Sequence, residues 1–380
     1  MNKLFITGCF RSGTTLLDKI LHAHSEMNIG SQPLPYLYFN VKNKFNQYNN
    51  IEQIYPFDHM FLNNYRADDL TKFIYTCRFS KTEIDEILSA MFHYDGQHMH
   101  DFLKFCLNNG VPSGFFRDIY DEFMALMLDY FGKNNCRYIG SKEIILEEFI
   151  PFFLETGHKI LVILRDPRDV LTSAYCGKGN EYIGNIRPTL YSLRMWRKSV
   201  AYCLEFNKHS GFLFIKYEDL VSSMWDVLDK ITNFLGISQY PRDSFSGGIY
   251  QQDGNLWKGN SSIHNYTDVS TSSVGHFKEY LDDNIIKFVE AICGPEMEYL
   301  GYERFFPNHD KKIIKSYIEP ITINHPKFYK NYSHSPINIK QETMRLELLK
   351  EHEIDDIEQS KWFIFPSVYK ILYRIANGKI

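Results

Sequence analysis

The sequence predicts an α/β fold with a mainly parallel central sheet flanked by helices, and three observations carry the prediction. Short apolar, β-rich runs alternate with stretches of helical periodicity along most of the chain. A glycine-bracketed loop joins the first of these runs to the first helical stretch. The run Lys159-Ile160-Leu161-Val162-Ile163-Leu164 is apolar almost throughout, as a strand buried on both faces must be.

Leu4-Phe5-Ile6-Thr7 reads as the first buried strand. Gly8 and Gly13 bracket a tight loop that carries Arg11 and Ser12, and Thr14 and Thr15 open a helix. On that helix Leu16, Leu17, Ile20 and Leu21 recur at helical spacing. Backbone N–H groups converge in such a loop, and the helix dipole favours an anion there, so the unit reads as a phosphate cradle. The spacing from Gly8 to Gly13 is that of a nucleotide P-loop, but Thr14 stands where a triphosphate site needs lysine. The cation lies inside the loop instead, at Arg11. An ordinary βα turn carries the same punctuation, so the loop alone does not decide the function.

Further along, residues 31–39 hold two prolines and read as a loop leaving the phosphate site. Residues 40–135 read as a mostly helical insertion on the acceptor side, with helical patterns at 68–77, 82–93 and 118–131. Within it, residues 93–101 hold three histidines and two aspartates in a spacing that matches no familiar metal site, so a solvated loop is expected and no metal. Residues 137–142 read as a second strand ending in Lys142, followed by a helix that Pro151 kinks or restarts. The strand 159–164 runs directly into Arg165, and Ser173 follows eight residues later. A helix is expected around 189–207, a strand over 212–220, and a helix over 224–235 closed by Gly236. Residues 246–275 form a long polar loop, the kind that serves as a lid or binding loop. A helix over 283–293 is expected to stop at Gly294-Pro295. The tail from about 306 is punctuated by prolines and carries an acidic helical pattern at 341–358. Its last helix, 367–376, is amphipathic and either docks on the main domain or meets a second copy or a membrane surface.

A chain of 380 residues can bury a large core. Its net charge of −4 argues against a nucleic-acid binder held by phosphate contacts. No run approaches the length of a membrane span, and the first strand leaves no room for a secretory signal. Seven cysteines with no CxxC pair fit neither a disulfide framework nor a zinc site, which points to a reducing cytoplasm.

Four of these stretches, in this order, resemble the sulfotransferases that use 3′-phosphoadenosine 5′-phosphosulfate (PAPS), over about residues 3–302. The resemblance implies a P-loop-like three-layer domain over 1–305, with 306–380 as a C-terminal extension. Arg11, Ser12, Gly13, Thr14 and Thr15 look like the 5′-phosphosulfate loop, and Arg165 with Ser173 like the 3′-phosphate site. A planar guanidinium fork plus a hydroxyl suits a dianionic phosphate. Tyr217 resembles the tyrosine that approaches the adenine, and Lys258, Asn260 and Ser261 lie in a stretch similar to the loop that closes over the cofactor. Lys142 resembles the lysine that supports the transferring sulfuryl group.

One departure matters. Gln32 stands where the resemblance to tyrosylprotein-type members calls for a catalytic glutamate, and glutamine accepts no proton at neutral pH. The base is then sought among His98, His93, His59 and His100, with Glu143 as the carboxylate competitor. His24 reads as a packing or capping residue. The implied activity is sulfuryl transfer from PAPS to an acceptor hydroxyl, or an amine, on a carbohydrate, lipid, peptide or small metabolite. A P-loop kinase using ATP–Mg²⁺ and a non-catalytic module that binds the product nucleotide PAP are the alternatives. The missing loop lysine and the arginine at the end of strand 159–164 speak against the kinase.

Overall fold

The computed structural model describes residues 1–51, 67–93, 99–133, 135–175, 188–259, 269–306, 311–318, 335–350 and 360–379. Five parallel strands form the central sheet: β1 (Asn2–Thr7), β2 (Met27–Ser31), β5 (Tyr138–Lys142), β6 (Lys159–Leu164) and β7 (Phe212–Lys216). Their spatial order is β2-β5-β1-β6-β7. Two short strands, β3 (Arg78–Phe79) and β4 (Gly114–Phe115), pair antiparallel within the insertion.

Alternation along the strands divides the core in two. Leu4 and Ile6 join Leu161 and Ile163 on the face covered by α1 (Thr14–His22) and by Val227, Leu228 and Ile231 of a later helix. Phe5, Ile160, Val162 and Leu164 belong to the opposite, larger cluster. Both faces are covered, so Ile160 through Leu164 are all fully buried. Each such side chain contributes about 1.5–3 kcal/mol over an exposed one.

Between β2 and β5 the described residues are mostly helical: α2 (Pro35–Tyr48), α3 (Ala67–Thr76), α4 (Lys81–Phe92), α5 (His100–Asn109) and α6 (Phe116–Phe131). Ser80 and Glu83 close a capping box at the start of α4. Several boundaries differ from expectation for identifiable reasons. Residues 31–39 are not one loop: Ser31 ends β2, and Pro35 opens α2 at its first position, where the missing N–H costs nothing. β2 itself, with only two apolar side chains, precedes the strand read from the sequence as the second. Pro151, by contrast, restarts the helix, one of the two outcomes expected: it sits at the start of α7 (Ile150–Glu155), just after a 3₁₀ turn. β7 stops at Lys216, and Tyr217 begins α10 (Tyr217–Ser222).

After α8 (Pro167–Tyr175) and α9 (Thr189–Phe206) come α10 and α11 (Met224–Leu235), the last closed by Gly236 at φ 66°. Following α12 (Phe277–Tyr280), α13 (Asp283–Tyr299) runs through Pro295 instead of stopping there. Cys293 and Met297, on either side of the proline, are fully buried. The tail contributes α14 (Lys311–Ser316), α15 (Pro336–Leu348), α16 (Ser360–Phe363) and α17 (Pro366–Ala376). α15 starts at Pro336, earlier than the expected 341, and residues 351–359 lie outside the described set. Val368 and Leu372 of α17 pack into the same core as α9 and α13. Among the described residues no helix is long and apolar enough to cross a membrane.

Candidate active site

All five parallel strands end on the same side of the molecule, and each delivers a polar residue there. β1 leads to the phosphate loop, β2 to Gln32, β5 to Lys142, β6 to Arg165 and β7 to Tyr217. Ligands of open α/β sheets bind outside these carboxyl ends.

The loop is held in one shape by its glycines. A Cβ on Gly8 would lie 2.4 Å from the Ile163 carbonyl oxygen. Gly13 has φ 92°, and a Cβ there would lie 2.4 Å from the Tyr217 ring. Arg11, Gln32 and Ile145 adopt positive φ of 62°, 48° and 52° in the loops that follow β1, β2 and β5. Conformations of this kind cost roughly 1–3 kcal/mol each and cluster at functional sites.

One flank of the loop carries two arginines. Arg11 Nε donates to Ser173 Oγ at 2.7 Å. Arg165 Nη1 donates to the Arg11 carbonyl at 3.2 Å, and its Nη2 to the Ser273 carbonyl at 2.5 Å. The Arg165 guanidinium rests 4.5 Å over the Tyr217 ring. That ring therefore supports Arg165 on one side and bounds Gly13 on the other. Arg165 Nε and Ser12 Oγ are buried without a hydrogen-bond partner. Buried polar groups left unpaired cost about 1–3 kcal/mol each.

Lys142 occupies the other flank, fully buried. Its Nζ lies 3.2 Å from Asp18 Oδ2, 3.3 Å from Gln32 Oε1 and 3.4 Å from Thr15 Oγ1. Asp18 also accepts from Ser31 Oγ at 2.8 Å. Burial opposes ionisation of Asp18, but Lys142 and Lys19 outweigh it and lower the pKa. Asp18 escaped the sequence reading, although its place three residues after Thr15 puts both on one face of α1.

The base candidates divide. Glu143 follows β5, and its Oε1 accepts from the Leu34 N–H at 3.0 Å rather than meeting the Asp18–Lys142 pair. Burial pushes its carboxyl up to about 8, against the smaller lowering effects of that bond and of Lys142. His93 is exposed at the C-cap of α4, its ring against Phe92, and the exposed His100 packs on the same ring. His59 and His98 lie outside the described residues. Met99, which follows His98 in sequence, has its sulfur 3.2 Å from the position of a Cβ on Gly30, near the carboxyl end of β2. His24 is buried, with Nε2 3.0 Å from the Ser238 carbonyl and its ring edge-on to Tyr240, a packing role.

In the long loop, Trp257 is buried and its N–H donates to the Ile249 carbonyl at 2.8 Å, while Lys258 is exposed. Asn260 and Ser261 lie outside the described residues. No carboxylate is free at the end of β6 to hold Mg²⁺. Asp166 is consumed by Arg168, which lies 2.7 Å from its Oδ2 and 3.0 Å from its Oδ1. Among the described residues no group of three or more metal-ligating side chains is present.

These features describe a parallel α/β protein with a glycine loop after β1 and with Arg165 and Lys142 at the ends of the strands that flank β1. The chain belongs to the sulfotransferase family: the family model for the sulfotransferase domain matches residues 1–301. Its activity is accordingly sulfuryl transfer. Among solved structures it is similar to the sulfotransferase domain from the curacin biosynthetic pathway, at 18% identity over 80% of this chain and 98% of that one, with a TM-score of 0.45. It is also similar to mouse sulfotransferase SULT7A1 complexed with PAP, at 14% identity over 78% of this chain and 84% of that one, with a TM-score of 0.40. A sulfotransferase from Alicyclobacillus acidocaldarius matches at 15% identity over 80% and 96% of the two chains, with a TM-score of 0.39. No curated protein sequence matches the chain.

Proposed function

We propose that the enzyme uses PAPS as donor and passes its sulfuryl group to an acceptor hydroxyl by in-line displacement. The observation that carries this reading is the pairing of two cationic flanks around one glycine loop, Arg11 with Arg165 on one side and Lys142 on the other. The donor supplies a sulfuryl group already activated on a phosphate leaving group. The N–H groups of the loop, with Ser12, Gly13, Thr14 and Thr15, hold its 5′ side. Arg165 and Ser173 bind the 3′-phosphate, Lys258, Asn260 and Ser261 close over it, and Tyr217 borders the adenine.

Arg11 and Lys142 then stabilise charge that grows on the leaving group. They are fixed before the reaction begins, so little reorganisation opposes them. The Lys142–Asp18 pair holds the ammonium in place within the buried site. For the proton of the acceptor we assign a histidine of the 93–101 segment, His98 ahead of His93. The tie of Glu143 to Leu34 gives that carboxylate a structural task instead.

The donor is tested by thermal shift. PAP is expected to raise Tm well beyond ATP–Mg²⁺ in the wild type, because only a ligand of the native state stabilises it. Arg165→Ala is expected to lose most of the PAP effect. Equal stabilisation by ATP–Mg²⁺ would favour the kinase.

A further inference from the structure

The turn that follows β6 grips the end of the long loop at three successive alternate positions. Arg165 Nη2 takes the Ser273 carbonyl at 2.5 Å. Two residues on, the Gly275 N–H donates to Asp169 Oδ2 at 2.7 Å. The Phe277 N–H then donates to Asp169 Oδ1 at 3.0 Å. Arg168 adds a floor: its guanidinium lies 4.0 Å from the Phe277 ring centre, and Asp166 and Glu290 fix it at 2.7 and 2.6 Å. Both Asp169 oxygens are therefore committed to the 273–277 backbone, and its side chain is buried. None of these bonds requires a ligand.

A carboxylate that accepts two backbone N–H groups fixes a segment more firmly than neutral contacts do, since charge-assisted hydrogen bonds are about twice as strong. The segment it fixes ends in the carbonyl that orients Arg165. Asp169 thus stands one step behind the guanidinium, on the same turn, and sets where its fork points. The remaining Arg165 Nη bond goes to the Arg11 carbonyl at 3.2 Å, so the same guanidinium also touches the phosphate loop.

We propose that Asp169 is a positioning residue for donor recognition: by clamping 273–277 against Arg165 it sets the selectivity for a nucleotide bearing a 3′-phosphate. This rests on the donor reading above. Asp169 touches no ligand itself. Loss of the clamp leaves Arg165 in the chain but frees its Nη2 side to turn from the Ser273 carbonyl, while the packing of Gly8 and Gly13 against Ile163 and Tyr217 still shapes the 5′ loop.

The test compares binding of PAP with that of adenosine 5′-monophosphate, which lacks the 3′-phosphate, by titration calorimetry. Asp169→Asn replaces one acceptor by a donor facing an N–H. Gly275→Ala is the milder variant: its φ of 77° strains any L residue, while the nearest atom to the new Cβ is Lys278 Cε at 4.0 Å. The wild type is expected to prefer PAP. In Asp169→Asn the PAP affinity is expected to fall on the order of tenfold, with the monophosphate affinity nearly unchanged. Gly275→Ala is expected to shift the same ratio in the same direction by less, and it carries the test if the Asn variant does not fold. A wild-type preference that survives intact in the folded variants overturns the clamp alone. A wild type that shows no preference for PAP overturns the donor reading and, with it, the clamp.

Discussion

Lys142 and Glu143 are neighbours in sequence, one ending β5 and the other just past it, yet their side chains meet different partners. Lys142 meets Asp18, Thr15 and Gln32 at the phosphate loop. Glu143 is buried beneath Leu34 with one oxygen, Oε2, unpartnered. Burial raises its pKa from the ordinary 4.5 to about 8. Between these values the unfolded chain has lost a proton that the folded chain keeps, so stability falls as pH rises through that window. Below it both states hold the proton, and the folded form keeps its full advantage. Glu143→Gln cannot titrate. Measured by urea unfolding, it is expected to gain on the wild type by a few kcal/mol between pH 5 and pH 8. Parallel stabilities at the two pH values would mean that the carboxyl is not buried as described. If Glu143 is structural, the same variant keeps turnover within severalfold of wild type.

At the scale of elements, the site is a row of strand ends, and each end has a local grammar. Gly13 is the most constrained position, by its φ of 92° and by the Tyr217 ring. Gly13→Ala is expected to cost about 2 kcal/mol or more and to abolish the thermal shift by PAP. An unchanged shift would show that the loop does not hold the ligand. The glycine loop, Lys142 and Arg165 were singled out in the sequence by glycine spacing, by strand ends and by the family resemblance, and the fold sets all three at the carboxyl ends of neighbouring strands. β2 was not, since Met27-Asn28-Ile29-Gly30-Ser31 offers little apolar pattern and owes its burial to β5 alongside it. Nor was α2, because prolines at 33 and 35 read as breakers, although Pro35 is tolerated at a helix start. Asp18 and Asp169 escaped for another reason. Their partners Lys142 and Gly275 lie 124 and 106 residues away in sequence, a separation that only the tertiary fold closes.

Over the whole molecule, the family match stops at residue 301, while the packing continues. Glu342 of α15 accepts from Arg194 Nε at 2.9 Å and from Arg197 at 2.8 and 3.0 Å. Burial opposes its charge, yet Arg197 and Arg194 hold its carboxyl down to about 2. Arg345 reaches Glu296 of α13 at 2.5 Å. The extension is thus riveted to α9 and α13, the helices behind β6 and its Arg165 turn. Removing one partner of a buried pair leaves the other uncompensated, so Glu342→Gln is expected to lower stability by about 3–5 kcal/mol in urea. A change under about 0.5 kcal/mol, the range of ordinary surface substitutions, would show that the extension is only loosely attached. Everything converges on one reaction, and the direct measurement is transfer of label from ³⁵S-PAPS to a panel of hydroxyl and amine acceptors, with Lys142→Ala beside the wild type. Labelled product is expected with the wild type, and turnover lower by on the order of 10²-fold for Lys142→Ala at saturating donor and acceptor. Wild-type turnover unaltered by the loss of Lys142, or phosphoryl transfer from ATP–Mg²⁺ in place of labelled sulfate, would contradict this expectation.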